Sequence, residues 1–190
     1  MAVLENATRH YYRILFDRCE IKDNFIMTSF LAYKNSDERE KEKQRESLWT
    51  VFFNNVNDKI DALYQDLIQS VTAQNLLPEN ILSATEENKI DGVKYPALRQ
   101  KQDVLHALEK AADGLQDKLY IYEYESPSYM SDADAAVLMP YGFDKEWVTD
   151  PIVLVSEAQV DCGVYAGEEL TNEFYYNKLK KKMSGNIANI

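Results

Sequence analysis

Trp49, Phe53, Val56, Ile60, Leu63 and Leu67 follow one another at alternating steps of four and three, the spacing that returns a side chain to the same side of an α-helix. Phe52, Tyr64, Ile68 and Val71 widen that stripe. The pattern predicts a helix from about residue 37 to about residue 73, with a break near Trp49 as the alternative because the length far exceeds the usual few turns. So wide an apolar side suits a bundle better than a two-stranded seam. Each large side chain it buries contributes about 1.5–3 kcal/mol, so the helix must find a partner. The sequence offers one. Pro96 suits a first helical turn, and Leu98, Leu105, Leu108, Ala112, Leu115 and Leu119 form a second stripe behind it. Gly114 costs that helix about 1 kcal/mol relative to alanine.

Elsewhere the periods are shorter. Val3, Leu4, Ala7, Tyr11, Ile14 and Leu15 recur at helical spacing and predict a first helix. FIMTSFLAY, residues 25–33, reads equally as a buried strand or as the start of a helix. In KNSDEREKEKQRES the expectation is a solvated charged stretch, with Ser36 or Asp37 as N-cap and Asp37 with Glu40 as a capping box. Leu76 to Tyr95 reads as loop and turn, with a short hairpin around Gly92. LYIYEYE then continues the helix or starts a strand ending at Pro127, and Ser131 with Asp134 caps a short helix through Leu138. WVTDPIVLV and VDCGVYAG read as two strands with a loop between them. A last helix from Glu168 to Met183 has acids at its start and lysines near its end, with Gly185 to terminate it. The predicted class is therefore α+β, with a predominantly helical N-terminal two thirds and a mixed helix and strand C-terminal third. One globular domain is expected over residues 1–190, with a sub-boundary near 116–126.

The 45% hydrophobic and 28% charged content of this 190-residue chain belongs to a folded protein rather than a disordered one. Cys19 and Cys162 are too few and too far apart for a disulfide framework, and free thiols fit a reducing compartment. MAVLENATRHYYR turns polar too early for a secretory signal, and no stretch reaches the length of an apolar membrane span. The expected location is cytoplasmic, with no membrane association.

Charge is distributed unevenly. Between Asp117 and Glu173 lie thirteen carboxylates but only two basic side chains, Lys118 and Lys145, a net charge of −11 that equals the whole protein's. The remaining residues carry nineteen acids and nineteen bases and sum to zero. The same stretch holds six of the thirteen tyrosines. Acidity on this scale opposes direct nucleic-acid binding, which needs a surplus of Lys and Arg.

Recognisable catalytic patterns are scarce. His10 and His106 are the chain's two histidines, and neither lies in a zinc-ligand pattern. Cys162 sits among carboxylates that disfavour its thiolate, and no GxGxxG or GxxxxGK cradle occurs. No cofactor is expected. Asp132 and Asp134 have the i, i+2 spacing of metal-binding carboxylates, yet Ser131 supplies a capping explanation for the same residues.

The expectation carried forward is a non-enzymatic interaction module that presents acidic and aromatic groups to a basic intracellular protein. Nucleic-acid mimicry, and with it an inhibitor's role, is one specific form. The contacts it names are Tyr122, Glu123, Tyr124, Glu125, Tyr129, Asp132, Asp134, Tyr141, Asp144, Glu146 and Trp147. Two alternatives stand beside it. In the first, Trp49, Phe53, Ile60 and Leu67 pack on a second subunit in a homo-oligomer. In the second, converging carboxylates including Asp132 and Asp134 hold a metal ion for hydrolysis.

Overall fold

The computed structural model describes residues 10–78 and 89–183, and the fold is α+β. Three strands come before the first described α-helix: β1 (Tyr11–Ile14), β2 (Glu20–Lys22) and β3 (Phe25–Tyr33). The helix expected through Tyr11 and Ile14 is therefore a strand there, and its Val3–Ala7 portion lies outside the described residues. The physical reason is visible in Tyr12, which the helical set omits. Tyr12 and Ile14 are buried while Tyr11 and Arg13 are half-buried, which is a period of two.

Among the described residues the sheet runs β1-β3-β5-β4, with β2 also on β3. β5 (Ile152–Val164) pairs antiparallel with β3, and β4 (Tyr120–Tyr122) pairs parallel with β5. β3 is central, which explains why FIMTSFLAY is a nearly continuous apolar run. It is reached from β2 by a two-residue turn in which Asp23 and Asn24 both have positive φ, 50° and 66°. Asp and Asn tolerate that conformation better than other side chains, and it suits the twist of a hairpin. The two strands expected near the C-terminus are instead one. No glycine or proline interrupts Ile152 to Cys162, and WVT forms the short helix α4 (Glu146–Thr149).

The chain divides into two compact units. The first comprises residues up to Gln44, Tyr120–Ser126 and everything from Pro151. On one face of its sheet, Tyr12, Ile14, Ile26, Phe30 and Ala32 pack against Tyr175 and Leu179 of α5 (Asn172–Lys182). α5 begins where Thr171 accepts a hydrogen bond from the Phe174 amide at 3.1 Å, four residues after the expected Glu168 start. Gly185 lies outside the described residues.

The second unit comprises Arg45–Leu119 and Pro127–Asp150. Its long element is α1 (Ser36–Ala73), unbroken at Trp49, of which the first turns belong to the sheet unit. Asn35 caps α1, its side-chain oxygen accepting from the Asp37 and Glu38 amides at 3.0 and 3.1 Å, so neither Ser36 nor Asp37 is the cap. Leu67 and Val71 pack with Leu98 and Leu105 of α2 (Pro96–Leu119), the partnership the two stripes predict. Nearer its start, Phe52 meets Trp147 edge-on and Phe143 at a tilt, and Trp49 meets Trp147 with ring centres 6.2 Å apart. The Asp91-Gly92 pair forms a turn with no strand beside it among the described residues, closed by the Val93 amide on Asp91 at 2.9 Å; residues 79–88, before it, lie outside the described residues. α3 (Asp132–Leu138) starts at Ser131 as expected.

Candidate functional site

The acidic and aromatic residues singled out by sequence separate into three environments. Tyr122 ends β4 half-buried, where burial first, and Glu157 and Glu125 after it, push its phenol above the ordinary value. Beyond it, every residue from Glu123 to Tyr129 is exposed. Tyr124 is 91% and Tyr129 78% exposed, with Glu123 and Glu125 beside Tyr124. Local bonds hold this loop in place rather than bury it. Glu125 closes a turn by accepting from the Tyr122 amide at 3.3 Å, and Lys34 pairs with Glu123 at 3.2 Å. Lys118 donates to the Ser128 hydroxyl and to the Tyr129 carbonyl at 2.9 and 3.2 Å.

A second set is occupied in building helix ends. Asp134 exchanges hydrogen bonds with Ser131, its amide donating to Oγ at 3.1 Å and its carboxylate accepting from it at 2.7 Å. Asp132 points to a different partner, Lys145, at 3.2 Å. Among the described residues no group of three or more His, Cys, Asp or Glu could hold a metal ion, so these two carboxylates have no third ligand beside them. Asp144 accepts from the Glu146 amide at 2.9 Å at the start of α4, Glu146 lies 3.9 Å from Arg45, and Tyr141 is half-buried.

Trp147 is the exception that requires correction. It is 3% exposed and sits among Trp49, Phe52 and Phe143, so it anchors the core of its own unit and belongs to no surface. Val148 beside it is buried too, while Glu146 and Thr149 are exposed, because α4 is one turn long and shows only one side to the core. Trp49 and Leu67, named for a subunit interface, are likewise buried within this chain, and Phe53 and Ile60 are half-buried on the same helix.

The segment expected to be solvated contains the most deeply buried charged side chains among the described residues. Glu42 is 1% exposed and Arg45 is buried. Glu42 accepts hydrogen bonds from the hydroxyls of Tyr33 and Tyr120 and pairs with Arg13 at 3.1 Å and with Arg39. Arg45 donates to the Asp150 carbonyl at 2.6 Å and pairs with its carboxylate at 3.2 Å. A buried carboxylate left alone costs several kcal/mol, so four donors around one group is what permits it. The environment acts back on those donors. Burial, the hydrogen bond to Glu42 and its charge together push the Tyr33 phenol well above the tyrosine range. Burial alone would lower the Arg13 guanidinium, but Tyr33 and Glu42 outweigh it and raise the group overall.

The signal for this cluster was present in the spacing. Glu42, Arg45, Trp49, Phe52 and Val56 continue the three-and-four rhythm backwards, so both charged residues occupy core-facing positions of the same helix. Composition concealed them, because KNSDEREKEKQRES is polar throughout.

Comparison with protein-family models, with curated proteins and with solved structures found no match.

Proposed function

We propose that the protein is an interaction module that engages a basic segment of a partner protein through the loop from Glu123 to Asp132. The observation that supports this reading most directly is the pair of exposed tyrosines, Tyr124 and Tyr129, on a loop whose charged residues are Glu123, Glu125 and Asp132. Tyrosine rings supply contact area at little cost in lost freedom, and a solvated ring is an unsatisfied apolar surface. Carboxylates beside such rings favour Lys and Arg on the other side, through charge complementarity and through cation–π contact. The ion pairs already in the loop do not block this. Lys145 and Asp132 are both mostly exposed, and pairs of that kind are worth little, so an incoming arginine competes on even terms.

Trp147 drops out of the contact set as core and Asp134 as part of a helix cap, and Tyr122, Tyr141, Asp144 and Glu146 lie outside the loop. The test is capture of basic intracellular proteins at about 0.15 M salt, comparing the native chain with Tyr124→Ala/Tyr129→Ala and with Glu125→Lys/Asp132→Lys. The expected result is a partner lost in both variants and released as salt rises. Capture unchanged by both double variants sinks the reading. Competition for that partner by DNA or RNA distinguishes nucleic-acid mimicry from a general basic contact.

A further inference from the structure

A groove of about 420 Å³ opens in the sheet unit between β1, the start of α1 and α5. Its walls include Tyr11, Arg13, Phe16, Arg39, Lys43 and Tyr176. Volumes of this order hold small organic ligands. We propose that it is a binding site for a nucleoside monophosphate, the phosphate lying toward Arg13, Arg39 and Lys43 and the base against the aromatic walls.

The charge count supports a dianion. Three cationic side chains line the groove and one buried carboxylate, Glu42, pairs with two of them, so three positive charges less one leave two. Glu40 does approach Lys43, at 3.6 Å, but both ends of that pair are more than half exposed and solvent screens it. A phosphate monoester carries about 1.5 to 2 negative charges near neutral pH, which matches. A carboxylate would leave one charge uncompensated.

Guanidinium geometry points the same way. Each arginine has five N–H donors in a fixed fork that suits phosphate, and Glu42 and Tyr33 engage only some of them. The Arg13 side chain stays 31% exposed, so part of that fork is open to a ligand in the groove. Glu42 has a clear part in such a site: it fixes both arginines in place before any ligand arrives, which lowers the cost of ordering them. The aromatic side is equally specific. Phe16 is an exposed ring, Tyr11 and Tyr176 line the same groove, and flat bases stack on such surfaces. A long polyanion fits less well, since the chain as a whole carries −11 and repels it.

Isothermal titration of the full chain at low salt with the adenosine, guanosine, cytidine and uridine monophosphates tests the assignment. Adenosine, inorganic phosphate and phenyl phosphate serve as the separated parts. At least one nucleotide is expected to bind more tightly than about 1 mM, with adenosine and phosphate each at least tenfold weaker. Lys43→Glu is expected to weaken the nucleotide tenfold or more without moving the melting temperature, because Lys43 carries no interior bond. Phe16→Ala is expected to weaken nucleotide but not inorganic phosphate. No nucleotide binding at millimolar concentration overturns the proposal. So does phosphate or phenyl phosphate binding as well as the nucleotide, which leaves an anion or aryl-anion site only. Affinity unchanged in folded Lys43→Glu and Phe16→Ala overturns the location.

Discussion

The Tyr120 hydroxyl donates to Glu42 Oε1 at 2.6 Å, joining two residues 78 positions apart. Tyr120 opens β4 and Glu42 lies in the first turns of α1, so one hydrogen bond ties that strand to the start of α1. Together with Tyr33, Arg13 and Arg39 it makes the sheet unit depend on a single carboxylate.

Removing that carboxylate should therefore be costly. Glu42→Ala leaves two guanidiniums and two phenols without their acceptor, and losing one partner of a buried pair typically costs 3–5 kcal/mol. Arg13 and Arg39 are each partly exposed and can recover some hydration, which places the expected loss near the lower end, about 3 kcal/mol. Glu42→Gln keeps one acceptor and should lose less. Urea denaturation of the three proteins measures the order, and equal midpoints contradict it.

Alkaline pH should destabilise the fold through Tyr33. Its phenol is raised above the ordinary tyrosine value in the folded protein, by burial first and by Glu42 next. A raised folded value means the stabilising contribution is complete below about pH 10, where the unfolded chain is still protonated. It is lost as pH climbs from there toward the folded value. Tyrosinate absorbance followed with circular dichroism should show one phenol class ionising only with unfolding. Tyr33→Phe should make stability less steeply dependent on pH in that range.

The opposite sign holds at Glu168. The Lys178 ammonium, at 2.9 Å from Oε1, and the Ala166 amide, at 2.8 Å from Oε2, bring its carboxyl down to about 2. A depressed folded value contributes stability above the unfolded value of about 4.3, and that contribution disappears as pH falls toward 2. Carboxyl chemical shifts across an acid titration report it directly. Lys178→Met should move the Glu168 midpoint upward, and no movement would show that the ammonium is not the cause.

Trp147→Ala should cost about 3–5 kcal/mol, the range for deleting a large buried ring. Tyr124→Ala and Tyr129→Ala should each stay within about 0.5 kcal/mol of the native stability, since their rings make no core. Thermal or urea denaturation of the three variants settles whether burial, rather than residue type, divides these aromatic side chains into core and surface.

Stripe periodicity made the long helices legible before any coordinates. Wherever a helix buries one face over many turns the apolar residues must recur at its period, and α1 and α2 follow that rule from Trp49 to Val71 and from Leu98 to Leu119. The cap at Ser131 was equally local, because the hydroxyl and the amide it serves are three residues apart. Short strands gave no such redundancy. Tyr11–Ile14 offers four residues to distinguish two periods, and whether Ile152–Val164 forms one strand or two depends on β3 lying alongside it.

What the sequence determined by itself was the α+β class, the two helical stripes and the concentration of acid after Asp117, all properties that need only near neighbours or counting. Tertiary structure alone decided which charges are interior and which rings are free. Glu42 is buried because Arg13, Tyr33 and Tyr120 converge on it from three different strands, between 9 and 78 residues away. Trp147 is core, while Tyr124 and Tyr129 are surface, because only Trp147 has Phe52 and Phe143 beside it. The free energy of a charge or a ring depends on what surrounds it, and those surroundings exist only once the chain has folded.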